Sequence, residues 1–328
     1  MSRYNFLVFT CFLSAFLLSC SNSSSKLFDP ESIREIKWFP LPISNVSDFF
    51  VSPSGTVFSF DYTAFPGDGP AVSHRSIDNG YTWELIEWFH GVGDYTFSRE
   101  GELFIAGYLG MGLSRFASTK DEAVTWEFNM MKSVFAVDIN QLGDIYILRR
   151  EPSNYYSIRK SDDGGIHWQQ TGSFNFRSRY MALDRQNRIF IGSLDSLYFT
   201  DDEGRNLHYI DFPHELWFQK ITSISDRIIV LDTYRLFISS DRGETWQELK
   251  IDGGLEITNF STRMDGIILA IARGTHTYYL YASTDFGRNW IKVDTPGGNF
   301  QSAQLSYDNY LYLNSNHSLY RSIVPIQE

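Results

Sequence analysis

Basic residues are scarce in this chain. Its 328 residues carry 28 Lys and Arg against 39 Asp and Glu, a formal net charge of −11. A nucleic acid or an anionic membrane surface would meet a repelling field, so neither is expected as a partner. Histidine is thin as well: the seven copies (74, 90, 167, 208, 214, 276, 317) never fall at the spacing of metal-ligand pairs. No Gly-rich phosphate loop and no Ser nucleophile elbow occurs, so neither a metal nor a cofactor is expected. Cysteine is found only at positions 11 and 20. The longest apolar run, "FLVFTCFLSAFLLS" (6–19), is too short to span a bilayer as a stable helix and has the length of a signal-peptide core. What the chain has in quantity is apolar and aromatic side chains, 43% and 16% of the residues, enough to bury a large core.

The apolar run follows Arg3 and ends in "LLSC" (17–20), which resembles a bacterial lipobox. That resemblance implies cleavage before Cys20 and lipid attachment to its sulfur. Residues 1–19 are then a lipoprotein signal peptide and 20–33 a tether, with "SNSSSK" (21–26) as its polar, flexible part. Removal of Arg3 takes the net charge from −11 to −12. Acylation of Cys20 leaves no free thiol, which excludes disulfides, Cys catalysis and Cys-ligated metals. One acyl chain holds a protein only marginally, whereas several anchor it stably. The expected location is the bacterial cell envelope after export, lipid-anchored, on the outer membrane if the cell is Gram-negative.

An octet recurs through residues 34–328: "SIDNGYTW" (76–83), "SDDGGIHW" (161–168), "SSDRGETW" (239–246) and "STDFGRNW" (283–290). Two degenerate copies lie midway, "TKDEAVTW" (119–126) with Ala123 in the Gly position and "TDDEGRNL" (200–207) with Leu207 in the Trp position. The central acids are Asp78, Asp121, Asp163, Asp202, Asp241 and Asp285, spaced 43, 42, 39, 39 and 44 apart, and the closing indoles are Trp83, Trp126, Trp168, Trp246 and Trp290. Between octets run paired period-two stretches such as "FAVDINQLGDIYIL" (135–148), which read as β-hairpins, seven in all. A third strand leads into each octet and a fourth follows it. Four short antiparallel strands per repeat of about 40 residues indicate an all-β chain, a single seven-bladed β-propeller.

The octet resembles the Asp-box, or BNR repeat, a turn between the third and fourth strands of a blade. In such a turn the acid and the hydroxyl accept backbone N–H groups, Gly takes positive φ and Trp pins the hairpin to its neighbours. The six Asp residues are therefore structural. No seventh octet follows "SLYRS" (318–322), so the last blade is expected to lack its fourth strand. The stretch "REIKWFPLP" (34–42) carries Trp38 and should supply it, residues 34–40 closing the ring and hiding both edges.

In propellers of this resemblance the ligand-binding mouth lies opposite the Asp-box turns. Its loops would include 61–75, 87–93, 149–159, 172–180, 211–219 and 273–279, with Arg149, Tyr155, Arg177, Arg179, Trp217, Arg273 and Tyr278 as candidate binding residues. Arg recognises carboxylates, and aromatic faces with polar flanks recognise sugars. Bacterial sialidases share the repeat, but their Arg-Ile-Pro motif is absent: the corresponding "VSDFFVSPSG" (46–55) has no Arg. Seven-bladed relatives include xyloglucan hydrolases, which pair two propellers around a cleft, and photosystem assembly factors, which are single lipid-anchored propellers acting as scaffolds. The single domain fits the second arrangement. The expectation is a monomeric, non-catalytic binding or scaffold module for an envelope protein or a cell-surface glycan, touching the membrane through its lipid only; the alternative is a glycoside hydrolase using carboxylates of the mouth.

Overall fold

The computed structural model describes residues 36–61, 72–86, 92–109 and 113–326. Cys20, the signal segment and most of the proposed mouth loops at 61–75 and 87–93 lie outside the described residues. The described strands form seven four-stranded antiparallel sheets. Six are meanders of consecutive strands. The first strands of the seven blades are Asp48–Val51, Val92–Phe97, Val134–Ile139, Ser178–Leu183, Phe218–Ile224, Glu256–Thr262 and Phe300–Leu305. Each touches the first strand of a neighbouring blade, as Val134–Ile139 does with Val92–Phe97 and Ser178–Leu183. They therefore line a central channel, and the chain is a seven-bladed propeller.

Burial along each blade follows from position in the ring. Second strands such as Ile145–Arg150, Ile189–Ser193 and Leu311–Ser315 are buried at almost every position because neighbouring blades cover both of their faces. Fourth strands such as Glu84–Ile86 and His208–Ile210 expose two residues of three. Seven apolar clusters hold adjacent blades together. The octet indoles Trp83, Trp126, Trp168, Trp246 and Trp290 and Leu207 each pack against one of them. In the seventh that place is taken by Trp38.

Trp38 belongs to the strand that completes blade 7. Trp38–Ser44 pairs with Ser318–Ser322, with Trp38 opposite Ser322 and, past an irregularity, Ser44 opposite Ser318. The ring is thus closed by an N-terminal strand, but that strand begins four positions later than the stretch 34–40 read from the sequence. Trp38 fixes the register: its indole fills the cluster between blades 6 and 7 and donates to the Asp294 carbonyl at 2.7 Å. Pro40 and Pro42 are tolerated because this is the outermost strand, where a missing N–H breaks no ladder.

Each octet forms the same clamp. Ser76 Oγ donates to Asp78 Oδ1 at 2.7 Å and accepts the Gly80 N–H at 2.8 Å, while the two Asp78 oxygens take the Thr82 N–H at 2.9 Å and its hydroxyl at 2.6 Å. The hydroxyl and backbone bonds recur at Asp121, Asp163, Asp202, Asp241 and Asp285. Backbone N–H groups of His167 and Asn206 hold the carboxyls of Asp163 and Asp202 down to about 2. Two consecutive residues of every clamp are left-handed; in the third copy these are Gly164 and Gly165, and a Cβ on Gly165 would lie 2.6 Å from Phe116 of the preceding blade. The second copy puts Ala123 into that conformation at φ 70°.

Candidate functional site

Strand direction alternates within a blade, so the clamps and the turns between first and second strands share one end of the ring. Connections from second to third strand and from blade to blade form the other end, the mouth. The proposed binding residues among the described positions all lie on these mouth connections or on the strand ends beside them.

Trp217 is the most exposed of the aromatic ones, at 64%, and stands just before the first strand of blade 5. It forms a shallow apolar hollow of about 360 Å³ with Leu194, Phe218, Gln219 and Thr233. Its backbone is held from below. Asp232, fully buried at the end of the second strand, accepts the Trp217 N–H at 2.6 Å, His214 Nε2 at 2.8 Å and the Arg235 guanidinium at 2.7 Å. One buried carboxylate thus ties together two mouth connections, and Trp217 is presented to solvent on a rigid base.

Arg149 and Tyr155 flank a second anchored acid. Glu151, 6% exposed, accepts Ser157 Oγ at 2.7 Å and Arg159 at 2.8 and 3.0 Å, and lies 3.4 Å from Arg149. Burial opposes the Glu151 charge, but those hydrogen bonds outweigh it and hold the carboxyl below its ordinary range; burial also pushes the Arg149 guanidinium down. Arg177 is exposed, and Arg179 lies over the Phe135 ring at 5.3 Å. Arg273 binds Glu256 at 2.6 Å, covers the Tyr234 ring at 4.5 Å and faces Tyr278 across the strand pair. The Arg residues are therefore committed to different blades rather than converging on one point.

The hollow at Trp217 adjoins the channel, since Gln219 lines both. The channel's mouth half, about 420 Å³, is lined by Asp48, Asp94, Phe135, Arg179, Tyr180, Lys220 and Asn259 among others. Asp94 accepts the Tyr95 N–H at 2.9 Å and the Val137 N–H of the next blade at 3.1 Å. Asp138 repeats this with the Ile139 and Leu183 N–H groups, both at 2.8 Å. Solvent in the channel touches these groups, yet inner strands enclose them. Burial pushes Asp94 up to about 7 and Asp138 up to about 6 against the lowering effect of their backbone bonds, and the Asp138 charge adds to the rise at Asp94. Burial also lowers Lys220, whose ammonium reaches the Phe260 carbonyl at 2.9 Å. The values of Asp94 and Asp138 suit acid–base chemistry, but the oxygens of both acids serve as rungs between inner strands. Among the described residues no group of three or more His, Cys, Asp or Glu side chains could hold a metal ion.

No family model matches this chain, and no curated protein matches it in sequence. Solved structures do resemble it. YCF48 bound to a D1 peptide superposes with a TM-score of 0.63 at 14% identity, covering 89% of this chain and 96% of that one. Catalytically inactive virginiamycin B lyase from Staphylococcus aureus, solved with quinupristin, gives 0.62 at 10% identity over 88% and 99%. The GH74 xyloglucanase of Xanthomonas campestris gives 0.60 at 15% identity, covering 87% of this chain and 53% of that one. At such identities the likeness establishes the propeller and nothing finer.

Three parts of the site escape sequence reading: Asp232, Leu194 and the channel acids. Asp232 has a usable signal, a carboxylate closing the strand Arg227–Asp232 after four consecutive apolar residues. Leu194 has none, since only the fold brings it beside Trp217. The channel acids read as ordinary members of alternating strands until the seven first strands are set side by side.

Proposed function

We propose that this protein is a membrane-anchored, non-catalytic binding module, an Asp-box propeller carried on acylated Cys20, which takes an envelope protein or a cell-surface glycan at its mouth. The observation that carries the reading is Trp217: a large indole left 64% exposed while its backbone is locked to a fully buried carboxylate. Exposed apolar surface on a rigid base is the form of a binding anchor, because little conformational entropy is lost when a partner covers it. The Arg and Tyr side chains around the mouth supply polar contacts at its rim.

A protein partner is the better fit. A hollow lined by Leu194, Trp217 and Phe218 is more apolar than a sugar site needs, and the structures this chain resembles include one solved with a bound peptide. The test compares the anchored wild-type chain with Trp217→Ala in pull-downs from envelope extracts, beside a glycan array. Capture of one defined protein, weakened about tenfold or more by Trp217→Ala as expected for an aromatic hot spot, supports the reading. Equal capture by both proteins, or glycan binding alone, overturns the protein assignment.

Glycoside hydrolysis is the second reading, favoured by one observation: Asp94 and Asp138 sit in the channel with carboxyls raised to about 7 and about 6. Against it stands their use as backbone rungs. Release of sugar from an arrayed glycan by the wild-type chain, abolished in Asp94→Asn, would establish it.

A further inference from the structure

The six clamps are copies of one turn, so equivalent positions can be compared directly. The residue following the clamp glycine or alanine is Tyr81, Val124 and Ile166 in blades 1 to 3, and Arg205, Glu244 and Arg288 in blades 4 to 6. All six are exposed, the apolar three at 55%, 64% and 65%. On the same end and the same side of the ring stand Ile77 (64%) in the first clamp, Leu142 (81%) at the tip of a blade 3 turn and Val324 (66%) below blade 7. An apolar arc thus runs from blade 7 through blade 3, crossed by Arg99 and Glu100 in blade 2, while the same clamp position is charged in blades 4 to 6, where Met264 is an exposed apolar tip.

The chain enters the domain beside this arc. Trp38 pairs with Ser322 where the seventh clamp would begin, and the Ile323 N–H binds the Lys37 carbonyl at 2.8 Å. The described chain therefore starts at the clamp end, with Lys37 beside Ile323. Fifteen residues separate Cys20 from Ile36, a span of at most about 55 Å when extended, so an acyl chain on Cys20 keeps this face within that distance of the lipid.

We propose that the apolar arc of blades 7, 1, 2 and 3 seats on the lipid bilayer, so that the propeller stands clamp-face down with its mouth directed away from the membrane. The inference rests on the lipid anchor proposed above. The tether supplies proximity, and the apolar tips enter the headgroup boundary in the manner of interfacial anchors. Charged neighbours such as Lys120 and Asp162 remain at headgroup level, as flexible or clamp-edge groups do. The excess of acid over base in the chain favours a zwitterionic over an anionic leaflet. Blades 4 to 6 present Arg205, Glu244 and Arg288 at the same level and stay in water.

The full chain is produced with its signal, and the mass of its mature N-terminus reports lipidation independently of docking. A bimane label is placed on Ile166→Cys or, as the equivalent position, Arg205→Cys, and each protein is reconstituted in phosphatidylcholine vesicles with brominated acyl chains. Quenching at position 166 should exceed that at 205 by about twofold or more, because only the former sits at acyl depth. Val124→Asp combined with Leu142→Asp, both at exposed positions, should reduce the quenching at 166 with the fold retained by circular dichroism. Equal quenching at 166 and 205 in a lipidated protein that floats with the vesicles overturns the seating and leaves the anchor standing. A mature chain without lipid that fails to float overturns both.

Discussion

Removal of the Trp38 indole tests how the ring is held shut. Trp→Ala in a full core costs about 3–5 kcal/mol. Trp38 is half-buried, so roughly half of that, near 2 kcal/mol, is the packing loss. The 2.7 Å hydrogen bond to the Asp294 carbonyl joins positions 256 residues apart, and its loss adds about 1 kcal/mol. Trp38→Ala should therefore lose about 3 kcal/mol of the roughly 5–15 kcal/mol that stabilises a typical domain. Urea unfolding followed by circular dichroism gives the number, with Trp168→Ala as the control, since that indole bonds within its own clamp at 2.8 Å to Gly165. Loss of closure has a second signature. Hydrogen exchange should rise first in Ser318–Ser322, the strand that the N-terminal strand pairs with in blade 7, whereas Trp168→Ala should loosen blades 2 and 3. A Trp38→Ala protein within about 0.5 kcal/mol of wild type, the range of an ordinary surface change, or one whose blade 7 exchange is unaltered, would refute the closure argument.

Two further outcomes follow from the clamps and the channel. Ala123→Gly relieves the left-handed conformation at φ 70° and should stabilise the protein by about 0.5–1 kcal/mol, the left-handed cost of Ala less the added freedom of Gly in the unfolded chain; thermal unfolding reads the shift. Asp94 and Asp138 have folded values above the unfolded one, so the folded protein binds more protons between about 4 and about 7, and stability from these groups falls as pH rises through that window. The clamp acids Asp163 and Asp202, depressed to about 2, act oppositely and lose stability as pH falls below about 4. From these groups urea midpoints should thus peak near pH 4, and Asp94→Asn should flatten the alkaline side of that peak; a midpoint rising steadily from pH 5 to 8 in the wild type would contradict it.

The blade count was legible because each clamp needs a hydroxyl, an acid, a left-handed residue and an indole at fixed separations, and six copies leave the period beyond doubt. Even Ala123 and Leu207 could be placed, since the remaining clamp residues hold the spacing. Closure was legible from the missing copy and from Trp38, but the register was not. With two prolines and weak alternation, "REIKWFPLP" does not say where pairing starts; the indole's place between blades 6 and 7 decides it. The mouth was legible only as a set of loops. Trp217 and Arg179 were recognisable as residue types, but what makes Trp217 rigid is Asp232, and what makes its surroundings apolar is Leu194, both supplied by other connections. Nothing periodic links them, so no pattern in the sequence could.

Repetition also indicates where selection for folding ends. A clamp position that needed an apolar residue for stability would have one in every blade, as the buried indole position nearly does. Tyr81, Val124 and Ile166 answer to Arg205, Glu244 and Arg288, so the turn accepts either kind; Tyr81 is held by Arg321 and Phe39, whereas burial within the chain is not the reason for exposed Val124 and Ile166. The same comparison applies on the channel wall. Asp48, Asp94, Ala136, Tyr180, Lys220, Asn259 and Ser302 occupy one level of the seven inner strands, by alignment of their hairpin registers. Seven blades of one design present six different side chains there, with acids on blades 1 and 2 and the ammonium on blade 5. The ring tolerates that variety: Asp94 spends both oxygens on the Tyr95 and Val137 N–H groups, while Lys220 reaches the Phe260 carbonyl.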